Sequence, residues 1–263
     1  MNKPFQWKIF LVLWIASIFG VSAVIPYSLA LQSSMLQDLE LPLPLPALIV
    51  IQVVQSALIF GVLTALGLLL ANRIGLGLPI LEARLRGESV VDKIRVILPL
   101  SSAVGVIVAL LIIALELILF QPALIREFGD TVEALNLEAA RPAAWKGFFA
   151  SFYGGIVEEI LLRLFLMSLL AWLGSFISKT PEGKPTNIVF WIANILAAVV
   201  FGLAHLPATA TLIPLTPLVI TRAIVLNGLA GVAFGYLYWK RGLESAMVAH
   251  FSADIILHVV LAL

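Results

Sequence analysis

Seven long apolar runs divide this sequence, and they constrain its fold more than any other feature. A transmembrane helix needs ~20 apolar residues, and only helices and closed barrels can satisfy their backbone hydrogen bonds in lipid. Each run is about that long, so we predict an all-α polytopic membrane protein with about seven transmembrane helices. The predicted spans are Ile9–Leu31, Ala47–Ala71, Val96–Phe120, Phe148–Ile177, Ile188–Leu206, Leu218–Trp239 and Leu243–Leu263.

The composition excludes a water-soluble domain. Only 12% of the 263 residues are charged and 62% are hydrophobic, whereas soluble domains carry about 25% charged residues. The net charge of +1 gives no field that would attract nucleic acid. Because the chain has no cysteine, disulfides, thiolate metal sites and a cysteine nucleophile are excluded. The lipid bilayer is therefore the expected surrounding of almost the whole chain.

Lysine and arginine are distributed unevenly between the loops, and this bias predicts the orientation. One set of alternate flanks carries eleven of them, whereas the opposite set carries three, Arg126, Arg141 and Lys146. Cytoplasmic loops are enriched in these residues, so we expect a cytoplasmic N-terminus. The eleven are Lys3, Lys8, Arg73, Arg84, Arg86, Lys93, Arg95, Lys179, Lys184, Lys240 and Arg241.

Two loops are long enough to contain helices of their own. Residues 72–95 include a basic amphipathic stretch at 81–86, which we expect to lie at the membrane interface. Residues 121–146 are acidic and bordered by Pro122 and Pro142. We expect an external helix there.

Ionisable residues inside the predicted spans indicate where function resides. Each costs about 2.5–3.5 kcal/mol on insertion scales, so each needs a structural or chemical reason. All but one fall in the last four spans, between residues 158 and 258. They are Glu116, Glu158, Glu159, Arg163, His205, Arg222, His250, Asp254 and His258.

Two adjacent acids and an arginine form the first polar motif. Glu158 and Glu159 lie about 100° apart on a helix, and Arg163 follows Glu159 by one turn. Glu159 is therefore expected to pair with Arg163, which leaves Glu158 as the less compensated carboxylate. Such a carboxylate suits a general base that takes a proton from water. An ion cluster that only locks helices together is the structural alternative.

Histidines supply the second and third motifs. His205 ends the fifth predicted span, where it either joins a site or bonds a backbone carbonyl. His250 and Asp254 are four residues apart on one face of the last span, so they should point into a cavity. His258 continues that face near its outer end, and we expect it to be structural.

The remaining intramembrane polar residues have structural interpretations. Glu116 and Arg222 lie near the outer ends of their spans, where they can snorkel or pair at the interface. Gly231 and Gly235 form a small-residue pair that is expected to pack the sixth span closely against a neighbour.

The ordered motifs Glu-Glu-x-x-x-Arg, Phe-x-x-x-His and His-x-x-x-Asp, each on its own hydrophobic helix, resemble those of the CAAX protease and bacteriocin-processing family. The resemblance covers about residues 145–258 of the sequence. It implies an intramembrane endopeptidase that uses glutamate-activated water and needs no cofactor. We therefore expect one membrane domain over residues 1–263, with N-terminal helices and loops in 1–143 and the catalytic core in 144–263.

The resemblance also implies roles for six residues. Glu158 would be the general base, supported by Glu159 and Arg163. His205 would help to hold the attacking water, and His250 with Asp254 would stabilise the oxyanion. The family often has Asn where this chain has Asp254, and an ionised Asp cannot donate a hydrogen bond. Asp254 must be protonated or must orient His250, and we favour orientation. The implied site residues are Glu158, Glu159, Arg163, His205, His250 and Asp254.

Two other classes of protein remain open at the level of sequence. A zinc peptidase could use His205, His250 and a glutamate as ligands, although no His-Glu-x-x-His motif is present. A transporter or a non-enzymatic scaffold could use the same groups to relay protons or to hold a partner. The expected partner of the peptidase is a membrane-associated peptide or protein.

Overall fold

The computed structural model describes residues 5–33, 36, 42–129 and 142–263. Within these ranges the chain is helical, with no strand beyond an isolated bridge between Lys179 and Pro185. The fold class predicted from the apolar runs is therefore confirmed. The α-helices are α1 Trp7–Leu31, α2 Leu45–Ile74, α3 Pro79–Leu85, α4 Val91–Leu115, α5 Gln121–Phe128, α6 Ala144–Phe152, α7 Ser168–Gly174, α8 Asn187–Ala204, α9 Leu206–Ala210, α10 Pro217–Arg241 and α11 Leu243–Asp254.

Three helical stretches contain π turns. One π segment, Glu116–Phe120, joins α4 to α5, and another, Ile255–Val259, follows α11 before a 3₁₀ turn at Val260–Ala262. The segments Tyr153–Glu158 and Ile160–Met167 lie between α6 and α7. Residues 144–174 therefore form one continuous helical stretch, called the central helix below.

Six helices in the described ranges are long and apolar enough to cross a membrane. The fourth predicted span, Phe148–Ile177, is not among these six. It corresponds to the central helix, which is divided into short α and π segments and carries three charged residues near its middle. Large apolar side chains remain exposed on these helices, such as Leu58 at 69% and Ile118 at 71%. Since water would not favour so much exposed apolar surface, the surface faces lipid. The chain is an integral, multi-pass membrane protein.

The two predicted loop helices have different outcomes. The basic stretch 81–86 overlaps α3, which runs from Pro79 to Leu85. The loop expected to form an external helix begins with α5, a continuation of the preceding span to Phe128. The acidic residues from 130 to 141 lie outside the described residues.

The central helix packs against α1, α2, α8 and α11. Around it, α10 packs along α8, and α11 packs along α4. Gly231 of α10 lies against Ala198 of α8, and Gly235 faces Asn194. The expected close packing at this glycine pair is therefore confirmed. This arrangement brings the central helix, the end of α8 and the middle of α11 to one place.

Candidate active site

Glu158 and Glu159 lie in the central helix where its two π segments meet. A π turn forms i→i+5 hydrogen bonds and is frequently found at functional sites. The Glu159 side chain is fully buried, whereas 21% of the Glu158 side chain is exposed. The two neighbouring carboxyl groups therefore have different surroundings.

Glu159 is bound by two basic side chains through the same oxygen. Its Oε1 lies 2.8 Å from His250 Nδ1 and 3.2 Å from Arg163 Nη1. An ionised carboxylate only accepts hydrogen bonds, so His250 donates from Nδ1. The predicted pairing of Glu159 with Arg163 is confirmed, and the contact with His250 ties the central helix to α11.

Arg163 is enclosed by aromatic rings. Its guanidinium lies 5.1 Å from the centre of the Phe201 ring and 5.8 Å from that of Phe234, distances at which a cation is attracted to the ring face. Nη2 donates to the Gly231 carbonyl at 3.2 Å. Only 2% of this side chain is exposed, so a permanent positive charge is held inside the helix bundle.

His250 presents its second ring nitrogen to two carboxyl groups. Nε2 lies 3.6 Å from Glu158 Oε2 and 3.7 Å from Asp254 Oδ1. These distances exceed that of a direct hydrogen bond, so the two carboxyl groups are close neighbours of Nε2 without being bonded to it. The imidazole stacks on Phe234 with 4.9 Å between ring centres, so its orientation is fixed by both an ion pair and an aromatic face.

The orientation of His250 differs from the sequence expectation. We expected Asp254 to hold the imidazole, but Glu159 is the residue that binds Nδ1. Asp254 follows His250 by one turn of α11 and reaches only the Nε2 side. The physical reason is that the acceptor comes from a facing helix, which the spacing within α11 cannot reveal.

His205 lies beside this cluster without a polar contact to it among the described residues. Its Nδ1 lies 2.8 Å from the Phe201 carbonyl oxygen one turn earlier, so Nδ1 donates and Nε2 is left free of this bond. Its ring packs edge-on against the Phe201 ring, which also packs against the His250 ring. The structure therefore places His205 near the other site residues through Phe201.

The polar residues interpreted as structural do have structural contacts. His258 Nδ1 lies 3.1 Å from the Tyr27 hydroxyl, although its Nε2 also lies 4.0 Å from Asp254 Oδ1. Arg222 Nε donates to Glu116 Oε2 at 2.8 Å. The pairing of Glu116 with Arg222, one of the two outcomes expected for them, is confirmed.

Two site residues were not assigned a place in the site from the sequence. Phe234 contacts both Arg163 and His250, and its only sequence signal is its position between Gly231 and Gly235. Gly154 of the central helix faces the side chains of Asp254 and His250. A Cβ at Gly154 would press on Asp254 Oδ2 and lie 3.0 Å from His250 Nε2. A larger residue at this position would displace the Asp254 carboxyl group.

Each of the two histidines uses Nδ1 for a hydrogen bond within the protein, which leaves Nε2 for other partners. His250 Nδ1 is bound to Glu159, and His205 Nδ1 to a backbone carbonyl. Within the described ranges, no group of three or more His, Asp or Glu side chains is arranged to hold a metal ion.

The fold and the cluster together define a polytopic membrane protein with carboxyl groups and histidines gathered inside its helix bundle. Residues 140–256 match the family model described as Type II CAAX prenyl endopeptidase Rce1-like. For this segment, the match confirms the resemblance to the CAAX protease and bacteriocin-processing family that the three motifs predict. The comparisons with curated proteins and with solved structures gave no match. The matched family supports a peptidase of the CAAX type, and a membrane protease family implies a membrane-associated substrate.

Proposed function

We propose that this protein hydrolyses a peptide bond of a membrane-associated peptide or protein with water activated by Glu158. The observation that carries the proposal is the position of His250 Nε2 between the Glu158 and Asp254 carboxyl groups, with Nδ1 fixed by buried Glu159. This arrangement offers a proton acceptor and hydrogen-bond donors on one side of a single imidazole. Hydrolysis of an amide needs both.

The charges of the cluster support this assignment. Glu158, Glu159 and Asp254 face one guanidinium and one imidazole. Burying a net charge is costly, and the cluster is neutral when His250 is protonated and one carboxyl group carries a proton. Asp254 is the carboxyl group to which we assign that proton, because Glu159 is already paired with Arg163. A protonated Asp254 is a hydrogen-bond donor.

In the proposed reaction, the Glu158 carboxylate removes a proton from water as the water oxygen attacks the scissile carbonyl carbon. The carbonyl oxygen becomes an oxyanion, which His250 Nε2–H and the Asp254 hydroxyl stabilise. Protonated Glu158 then gives its proton to the leaving nitrogen, and the carbon–nitrogen bond breaks. The products are a carboxylic acid and an amine, and Glu158 returns to its ionised form.

We assign to His205 the role of orienting the attacking water. Because Nδ1 donates to the Phe201 carbonyl, neutral His205 has an acceptor lone pair on Nε2. We propose that this nitrogen accepts the second hydrogen of the water while Glu158 takes the first. Two acceptors would orient an oxygen lone pair toward the substrate, which raises the rate by fixing attack geometry.

The experiment is cleavage by purified protein reconstituted in liposomes. One peptide is presented with a lipid anchor, and the same peptide without an anchor is the control. We expect mass spectrometry to find new termini in the anchored peptide, and slower cleavage of the free one. If anchored peptides stay intact while reconstituted protein carries proton flux, the transporter interpretation replaces this proposal.

A further inference from the structure

A cavity lies at the end of the molecule where the basic loops meet, and its wall contains none of the proposed active-site residues. Its volume is about 670 Å³. Its walls are the turn after α2, the first turns of α3 and α4, and the last residues of α10 with Gly242. Because three long apolar helices begin or end there, this interfacial cavity lies at the level of the membrane surface.

The walls of the interfacial cavity are fixed by hydrogen bonds between distant parts of the chain. Leu243 N donates to the Gly77 carbonyl at 3.1 Å. Glu244 Oε1 accepts from the backbone N–H groups of Ile80 and Leu81 at 3.0 and 2.9 Å. Gly242 has φ +96°, which favours glycine, and it packs against Pro79. The cavity is therefore a built feature of the fold.

The acidic groups of the interfacial cavity already have partners. Glu82 accepts from Leu78 N at 3.1 Å and lies 3.7 Å from Arg86. Asp92 lies 3.7 Å from Arg95. The nearest basic partners of both acids are therefore arginines outside the cavity wall, and neither acid is paired with Lys240 or Arg241.

Two basic residues of the same wall, unlike the acids, have no ion-pair partner in the described residues. In the part of the chain that the structure describes, Lys240 and Arg241 form no ion pair, and Lys240 Nζ lies 3.5 Å from the centre of the Trp239 ring. Lys93 donates to the Pro79 carbonyl at 3.4 Å and has Glu88 at 3.9 Å. The first turn of α4 has no side-chain cap and contains Asp92, so Lys240 and Arg241 are the wall residues whose charge is left for a ligand.

We propose that the interfacial cavity binds the phosphate headgroup of an anionic phospholipid. Lys240 and Arg241 would pair with the phosphate, since basic pockets between membrane helices on the positively charged side bind such headgroups. Leu76, Val96 and Ile97 of the wall offer apolar contact to the glycerol and upper acyl chains. This binding does not depend on the proposed peptidase reaction.

The test is a titration of solubilised full-length protein followed by native mass spectrometry. The probes are a short-chain phosphatidylglycerol, a short-chain phosphatidylcholine and inorganic phosphate. We expect phosphatidylglycerol to bind most tightly and inorganic phosphate not to displace it. Equal binding of the two lipids, or displacement by inorganic phosphate, would overturn the assignment to an anionic lipid.

The variants distinguish lipid binding in the cavity from a general effect of positive surface charge. Lys240→Gln with Arg241→Gln should weaken phosphatidylglycerol binding by about thirtyfold, because each surface cation contributes about a factor of five. The control is Arg84→Gln with Lys179→Gln, which removes the same charge from exposed residues outside the cavity wall. If both double variants lose the same affinity, or neither loses any, the cavity is not the binding site. Thermal unfolding of each variant checks that the fold is retained.

Discussion

Two acid–base groups join helices in this protein, and they differ in burial and in composition. Glu116 and Arg222 are 27% and 30% exposed and form one complete pair. Glu159 and Arg163 are 0% and 2% exposed, yet Glu159 Oε2 and Arg163 Nη1 have no hydrogen-bond partner within the described structure. The partly exposed pair has one acid and one base. The buried group also includes Glu158, His250 and Asp254, so it has three acids and two bases. A group that only held helices together would resemble the first.

The largest effect on stability is expected at Arg163. Arg163→Met leaves Glu159 buried without its guanidinium, and breaking a buried ion pair costs about 3–5 kcal/mol. The measurement is unfolding of the purified protein in mixed micelles.

The paired control for Arg163 is the double variant Arg163→Met with Glu159→Gln. It removes both charges, and uncharged replacements of a buried pair are often close to neutral. Most of the stability should therefore return, although the protein should be inactive. If Arg163→Met alone were as stable as the wild type, the buried group would contribute no more to stability than the partly exposed pair.

Variants of Asp254 distinguish between two roles for this residue, a hydrogen-bond donor and a charged group. Asp254→Asn keeps a hydrogen-bond donor toward the oxyanion, so we expect substantial activity. Asp254→Ala should lose about two to three orders of magnitude in rate, the usual effect of losing one oxyanion contact. Single-turnover cleavage at matched protein levels measures both. Equal damage by Asn and Ala would mean that Asp254 acts through its charge.

Substitutions in the partly exposed pair of Glu116 and Arg222 should have little effect on stability or cleavage. Glu116→Gln or Arg222→Gln is expected to change unfolding by about 0–1 kcal/mol, since partly exposed ion pairs contribute little. Cleavage should stay at the wild-type rate because neither side chain contacts the proposed active site. Loss of cleavage in a folded Arg222→Gln variant would show that this group is also functional.

A metal chelator is expected to have no effect on cleavage. Arg163 and protonated His250 supply the positive charge in the proposed reaction, so no metal is needed. The measurement is cleavage before and after chelation and after addition of zinc. If the active protein contains stoichiometric zinc, loses activity when the zinc is removed and regains it when zinc is added back, the mechanism is that of a zinc peptidase.

The long apolar runs were sufficient to predict the helical fold, because only helices satisfy backbone groups over such lengths in lipid. Glu159 and Arg163 could also be paired from sequence, since their spacing of four residues places them on one helix face. Both inferences depend on local geometry alone.

Contacts between distant helices could not be predicted in the same way. The spacing within α11 suggested Asp254 as the partner of His250, whereas Glu159 of the central helix binds Nδ1. The π segments around Glu159 also change which residues share a face, and a pattern based on 3.6 residues per turn does not contain them. The aromatic enclosure by Phe234 depends on the packing of α10 beside the central helix.

The most direct test of the account is Glu158→Gln. This change keeps the size and hydrogen bonding of the side chain but removes the proton acceptor, and Glu116→Gln makes the same chemical change outside the site. We predict that cleavage of a membrane-anchored peptide falls by about a hundredfold to ten-thousandfold in Glu158→Gln, while Glu116→Gln cleaves like the wild type. Both proteins should insert and fold normally. Near wild-type cleavage by Glu158→Gln would contradict the proposal that Glu158 activates water.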